Sequence, residues 1–234
     1  MPFNVYEQAG SVTPPDTAPN VLVSAPVATE NKLVQSIKIA NLTAINQVAS
    51  LFYDPTGTGT GDDKALLKET IIEPGIPFDM DFGGVGLPLI GAGTISVQCG
   101  NPDAIIARSW ARRTDQLAGK NFKSLFQILP GDSLVNLAYT MGDQGIEHTS
   151  FKALVICNLN GADCKYSIYA NPSGSSFTDL HKVKNNIPLG ANCTDIWIEP
   201  GEGLLLNNVN GSIGVQGDTP NCINFTGLGI EHGA

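Results

Sequence analysis

Ile37-Lys38-Ile39-Ala40-Asn41-Leu42, continuing to Ser50-Leu51-Phe52-Tyr53-Asp54-Pro55-Thr56-Gly57, occurs twice in this chain. The second copy runs Leu154-Val155-Ile156-Cys157-Asn158-Leu159, continuing to Ser167-Ile168-Tyr169-Ala170-Asn171-Pro172-Ser173-Gly174, displaced by 117 residues without a gap. Six of the 21 positions are identical, namely Ile39, Asn41, Leu42, Ser50, Pro55 and Gly57. Ordinary residue frequencies give about one such match. Most other positions exchange like for like, as Phe52 for Tyr169 and Asp54 for Asn171. A second block repeats one residue out of step, with Gly93 to Gln98 returning as Gly211 to Gln216. The displacement is half of the 234 residues, so the chain reads as a tandem duplication.

Each half is long enough to bury a core of its own. Gly and Pro (26 and 15 residues) punctuate the sequence every few positions, which suits short strands better than long helices. Around Ile37 the pattern alternates: Leu33, Gln35, Ile37, Ile39 and Asn41 fall on one side, and Val34, Ser36, Lys38, Ala40 and Leu42 on the other. The expected fold is therefore all-β. It consists of two tandem antiparallel β-sandwich (jelly-roll-like) domains related by internal duplication, with an extended N-terminal arm. The boundaries are 1–18 for the arm, whose Pro, Thr, Asp and Asn show no apolar period, 19–115 for the first sandwich and 116–234 for the second. Residues 103–119 carry helical signals, an N-cap Asp103 and a terminal Gly119. The repeat aligns their first part with a final strand of the second half, and 104–112 is read as strand.

The net charge of −9 argues against broad contact with a phosphate backbone, so no nucleic acid is expected. No apolar run approaches a membrane span and no secretory signal is visible, so no membrane partner is expected. The cysteines Cys99, Cys157, Cys164, Cys193 and Cys222 lack metal-ligand spacing and read as reduced, partly buried thiols, with a Cys157–Cys164 bridge as the alternative.

Candidate chemistry is sparse. Gly57-x-Gly59-x-Gly61 resembles a phosphate loop, but neither the Lys-Ser/Thr nor the helix that such a loop needs follows it. Gly-Ile-Glu-His stands at 145–148 and again at 229–232, and a metal would require both His and Glu pairs to converge. The spacing of 84 residues instead makes them ends of exposed strands. Asp62, Asp63, Asp79 and Asp81 lack any calcium-loop spacing. No catalytic, cofactor or metal residue is assigned, and the chain is expected not to be an enzyme. The one basic cluster, Arg108, Trp110, Arg112 and Arg113, reads either as an ordinary surface strand with a half-buried Trp or, as the functional candidate, as a partner interface, since Arg and Trp are common anchors of contact surfaces. Stacking on nucleic acid ranks behind both in so acidic a chain.

The run from Pro19 to Ala28, then Val34 to Thr43 with a strand closing on Asn41, then a strand ending in Tyr53-Asp54-Pro55, resembles a module of tailed-bacteriophage virion proteins. The resemblance covers about 19–99 and again 124–216. It implies a non-enzymatic structural protein of the virion, such as a capsid decoration or cement protein, or a neck, tail or fibre component. Its partners would be copies of itself, as a homo-oligomer, and other virion proteins. The alternative is a carbohydrate- or receptor-binding β-sandwich of a tail appendage, with a host glycan stacked on Trp110, Trp197, Tyr53 or Tyr169.

Overall fold

The computed structural model of the chain describes residues 6–25, 31–114, 121–142, 146–201, 203–207 and 209–233. It divides into two compact units, Met1–Gln116 and Leu117–Ala234. Unit 1 contains β1 (Tyr6–Val12), β2 (Asn20–Ser24), β3 (Asn31–Asn41), β4 (Gln47–Asp54), β5 (Ala65–Ile72), β6 (Phe78–Asp81), β7 (Leu87–Leu89), β8 (Thr94–Cys99) and β9 (Ile105–Thr114). Unit 2 contains β10 (Asn121–Ile128), β11 (Asn136–Thr140), β12 (Ile146–Asn158), β13 (Cys164–Asn171), β14 (Lys182–Leu189), β15 (Thr194–Ile198), β16 (Leu204–Leu206), β17 (Ser212–Gly217) and β18 (Ile223–Gly233). No helix among the described residues is long and apolar enough to cross a membrane.

Pairing in unit 1 is nested. β4 pairs with β5, β3 with both β6 and β7, β2 with β8, and β1 with β9, all antiparallel. Further pairs, β3 with β9 and β4 with β8, close two sheets in the orders β1-β9-β3-β6 and β2-β8-β4-β5. One long hairpin, with its tip at β4 and β5, has thus been rolled up so that its strands are shared between two sheets. This is the double-sheet jelly roll. Unit 2 repeats it strand for strand, with sheets β10-β18-β12-β15 and β11-β17-β13-β14, and β16 beside β12.

The core of each unit lies between its two sheets. In unit 1 it is built from Val34, Ile37, Ile39, Leu51, Tyr53, Ile95, Val97, Ile105 and Ala107, all fully buried. The simple alternation read from β3 holds only from Ile37 onward. The pairing with β9 slips between Val34 and Ser36, so a bulge makes Val34, not Gln35, the cross-strand partner of buried Ala111. Unit 2 centres on Phe151, Leu154, Ile156, Tyr166, Ile168, Ile213, Val215 and Phe225.

The proposed arm needs correction. Residues 6–12 are not extended away from the fold; they form β1, paired to β9 from Tyr6↔Arg112 to Val12↔Ala107. The stretch lacks an apolar period because β1 is an edge strand whose side chains are mostly half-exposed, so backbone hydrogen bonds rather than side-chain burial place it. Gly10 permits the close passage of β1 and β2: a Cβ there would lie 1.9 Å from the Leu22 carbonyl oxygen. β9 is a strand, as the repeat requires, because β1 and β3 flank it on both sides. The sequence reading also passed over β14, whose Lys-Val-Lys-Asn-Asn-Ile pattern is that of a solvated edge.

The repeated asparagines hold matching positions. Asn41 ends β3, and its Nδ2 donates to the Ile45 carbonyl (2.7 Å) and the Ile72 carbonyl (2.8 Å), while its Oδ1 accepts from the Thr43 N–H (2.8 Å). Asn158 ends β12; its Nδ2 donates to Ala162 (2.9 Å) and Leu189 (3.2 Å) and its Oδ1 accepts from the Asn160 N–H (2.9 Å). The offsets of two, four and 31 residues are the same in both units. Ser50 and Ser167 agree as well, each Oγ accepting at 3.0 Å from the N–H of a residue with positive φ, Glu69 or Asn186.

The cysteines depart from the expectation of free thiols. Cys164 and Cys222 are joined in a disulfide, Cys99 and Cys157 are buried thiols, and Cys193 is an exposed one. The bridge ties the start of β13 to the turn before β18. In unit 1 that link is polar, with Asn101 Nδ2 donating to Gln47 Oε1 at 2.8 Å.

Two outcomes follow. Asn158→Ala removes several buried hydrogen bonds and should cost about 3 kcal/mol in chemical denaturation, more than the more exposed Asn41→Ala. Reduction of Cys164–Cys222, which closes a 58-residue separation, should destabilise unit 2 by about 3–4 kcal/mol in calorimetry. A Cys164→Ala variant should be insensitive to the reductant.

Candidate functional site

β9 is hydrogen-bonded on both sides, so its alternate residues line up on the two faces of the first sheet. Ile105, Ala107, Ser109 and Ala111 are buried, whereas Ile106, Arg108, Trp110 and Arg112 retain exposure on the outer face. The structure therefore brings Arg108, Trp110 and Arg112 together in one stripe. The side chain of Arg113 lies outside the described residues.

Neighbouring strands complete the surface. Trp110 sits between Gln8 of β1 and Ser36 of β3, and Arg108 between Ser11 and Lys38. Lys38 and Arg108 face each other as like charges, an arrangement that is unfavourable by itself. Asp79 on β6 offsets it, its Oδ2 lying 2.6 Å from Lys38 Nζ. Among the described residues no acid pairs with Arg108, and the buried Nε of Arg112 has no hydrogen-bond partner. A groove of about 310 Å³ opens here, lined by Lys38, Ala40, Pro77, Ile106, Arg108 and Trp110. Lys38, Ala40 and Pro77 were not singled out in the sequence, because only strand register brings them beside Trp110. The groove can take an apolar side chain or ring against Trp110 with an acidic group at its basic side.

The other sequence candidates separate. Tyr53 is fully buried, its hydroxyl donating to the Pro88 carbonyl (2.6 Å), and Tyr169 is buried too, so neither offers a platform. Trp197 is half-buried beneath Lys184. His148 and His232, from the two Gly-Ile-Glu-His segments, do meet. They are cross-strand partners of β12 and β18, stacked with ring centroids 4.0 Å apart. Their glutamates do not join them: Glu147 is exposed, and Glu231 binds Lys123 and accepts from the Tyr139 hydroxyl. Among the described residues no group of three or more His, Cys, Asp or Glu is arranged to hold a metal ion.

The Gly/Thr loop is organised from within. The Asp54 carboxylate accepts from the N–H of Thr56 (3.1 Å) and of Gly59 (2.9 Å), groups that a phosphate would otherwise use. Asp62 and Asp63 pair with Lys68 and Lys64. Asn171 occupies the place of Asp54 in unit 2: its Oδ1 likewise accepts from the N–H two residues on, Ser173 (3.1 Å), whereas its Nδ2 donates five residues on, to the Ser176 carbonyl at 2.7 Å.

No protein-family model matches the chain, and no curated protein is significantly similar to it. Among solved structures it is similar to a chain of Broad Bean Stain Virus, with 11% identity, 97% of this chain and 90% of that one covered, and a TM-score of 0.39. It is also similar to the major capsid protein P2 of bacteriophage PM2, with 10% identity, 98% of both chains covered and a TM-score of 0.39. PNGF-II gives 10% identity and the same TM-score of 0.39 over all of this chain and 65% of that one. Likenesses this distant assign nothing to this chain, and the strand order stands without them.

Burial raises the pKa of Asp54, but hydrogen bonds from Gly59 and Thr56, the Lys64 charge and a further bond from Gly57 outweigh it and hold the group below 3.8. A depressed folded-state pKa contributes stability that is present above pH 3.8 and lost as pH falls through the folded value. Asp54→Asn should abolish this component, worth about 1 kcal/mol or less at so exposed a site. Melting curves between about pH 5 and pH 3 should then fall less steeply for the variant than for the parent.

Proposed function

We propose that this chain is a non-enzymatic structural protein of a virion, acting through contacts with copies of itself and with other virion proteins. The observation that carries this reading is the nested strand order, realised twice in one chain. Viral shells are among the principal users of the jelly roll. We take the two units as domains descended from a tandem duplication, on the shared strand order and the matching offsets of Asn41 and Asn158. Duplicated units with the same backbone edges and different side chains allow one protomer to make several distinct contacts in a lattice.

Both units also keep open sheet edges, β2 and β5 in unit 1 and β10 and β15 in unit 2 among them. Such edges invite pairing unless they are covered. The basic groove at Trp110 is the proposed contact for an acidic partner surface, which another copy of a chain with net charge −9 supplies. Capsid decoration or cement, neck and tail accessory are the narrower roles within this class that the sequence resemblance implies.

The second reading is a carbohydrate- or receptor-binding module, since lectins also use this fold. It is favoured by one observation, the half-exposed Trp110 ring beside Arg108 in an open groove.

Light scattering over a concentration series, followed by electron microscopy of the concentrated protein, tests the first reading. Concentration-dependent assembly into repeating arrays is expected, and a monomer at every concentration would overturn it. Trp110→Ala combined with Arg112→Ala should weaken assembly while leaving the cooperative melt in place. Glycan binding abolished by Trp110→Ala, with assembly unchanged, would establish the second reading.

A further inference from the structure

Unit 1 leaves five aliphatic side chains exposed at one end: Leu42, Ile45, Val48, Ile71 and Ile76, at 56, 66, 39, 59 and 61%. Hydrogen bonds and strand pairing bring the segments that carry them together. The Asn41 side chain pins the 42–46 turn to the end of β5 through the Ile45 and Ile72 carbonyls. Val48 and Ile71 are cross-strand partners, and Pro74, two residues before Ile76, bridges to Asn41.

Unit 2 provides an internal control. Its backbone follows the same course, with Lys165↔Pro188 in the place of Val48↔Ile71 and the same Asn158 hydrogen bonds. The five equivalent residues, 117 positions on, are Leu159, Ala162, Lys165, Pro188 and Cys193. The same turns therefore form with Ala162, Lys165, Pro188 and Cys193 in place of Ile45, Val48, Ile71 and Ile76. The fold does not require Ile45, Ile71 or Ile76, and leaving them in water is unfavourable unless something covers them.

We infer that this end of unit 1 is a docking surface for the same surface of a second copy of the chain. The inference rests on the self-assembly reading above and names the contact through which it operates. Three features favour a second copy. The five residues carry no charge, so setting one group of them against another opposes no like charges at these positions. An aliphatic patch is complementary to itself, as a two-fold contact requires. The exposed side chains amount to on the order of 500 Å² per copy, so a pair removes on the order of 1,000 Å² from water, the threshold for specific association.

Analytical ultracentrifugation of the full chain and of Ile45→Asp, Ile76→Asp and the unit 2 control Ala162→Asp tests the inference. All three positions lie on exposed turns, so each variant should melt within a few degrees of the parent, which a thermal scan verifies. The two unit 1 variants should raise the dissociation constant of the pair at least about tenfold, and the control should leave it unchanged. A parent that associates while both unit 1 variants associate equally well overturns this contact and leaves the self-assembly reading standing. A parent monomeric at all concentrations overturns both. Flotation with phosphatidylcholine vesicles that is lost in Ile45→Asp, in a chain that does not self-associate, would make a lipid surface the occupant and overturn the second copy.

Discussion

A single side-chain amide at the end of one strand sets the geometry of each unit. A turn between strands of opposite sheets leaves backbone carbonyls and N–H groups that neither sheet can pair, and burying them unpaired is costly. Asparagine supplies donor and acceptor from one short side chain, so it can satisfy the turn that follows and the end of a distant strand together. Asn41 joins the 42–46 turn to Ile72, and Asn158 joins 159–163 to Leu189. Neither Asp, which lacks the donor, nor Ser, which lacks the reach, would replace it. The two sheets are thereby fixed to one another at the point where the chain crosses between them.

Around that shared frame the two units differ in chemistry while keeping the same links. The loop after β4 is closed by a carboxylate that accepts from Gly59, and the loop after β13 by an amide that donates to Ser176. The start of β4 is tied to the turn before β9 by Gln47 and Asn101, and the start of β13 to the turn before β18 by a disulfide. What stays constant is the pair of segments that is linked, the start of one strand and the turn before the last. The means of linkage is free to change, because hydrogen bond, charge and covalent bond all serve to link them.

Outer surfaces lie outside this constraint, and there the units diverge most. The stripe of Arg108, Trp110 and Arg112 and the aliphatic end at Ile45, Ile71 and Ile76 belong to unit 1 alone, at positions where unit 2 carries other residue types on the same backbone. Two units of one strand order with unlike surfaces suit the proposed role of a protomer that meets different neighbours in an assembly.

By itself, the sequence determined the all-β class, the repeat and the places of its turns. These are local properties: alternation over five or six residues, Gly, Pro and Asn at corners, and a 21-residue stretch that returns without a gap. Even the ambiguous segment before Arg113 resolved as strand β9 once its second copy was considered, because the repeat brings tertiary information into the sequence. Only the tertiary structure decided the rest. β1 and β14 are edge strands, placed by backbone pairing that leaves little trace in side-chain pattern. The bulge between Val34 and Ser36 exchanges faces within β3, and nothing local marks it. Cys164 meets Cys222, and His148 meets His232, because strands far apart in sequence are neighbours in a rolled hairpin. The Trp110 groove has the same origin: the sequence named its aromatic and one of its charges, Arg108, and strand register supplied Lys38, Ala40 and Pro77.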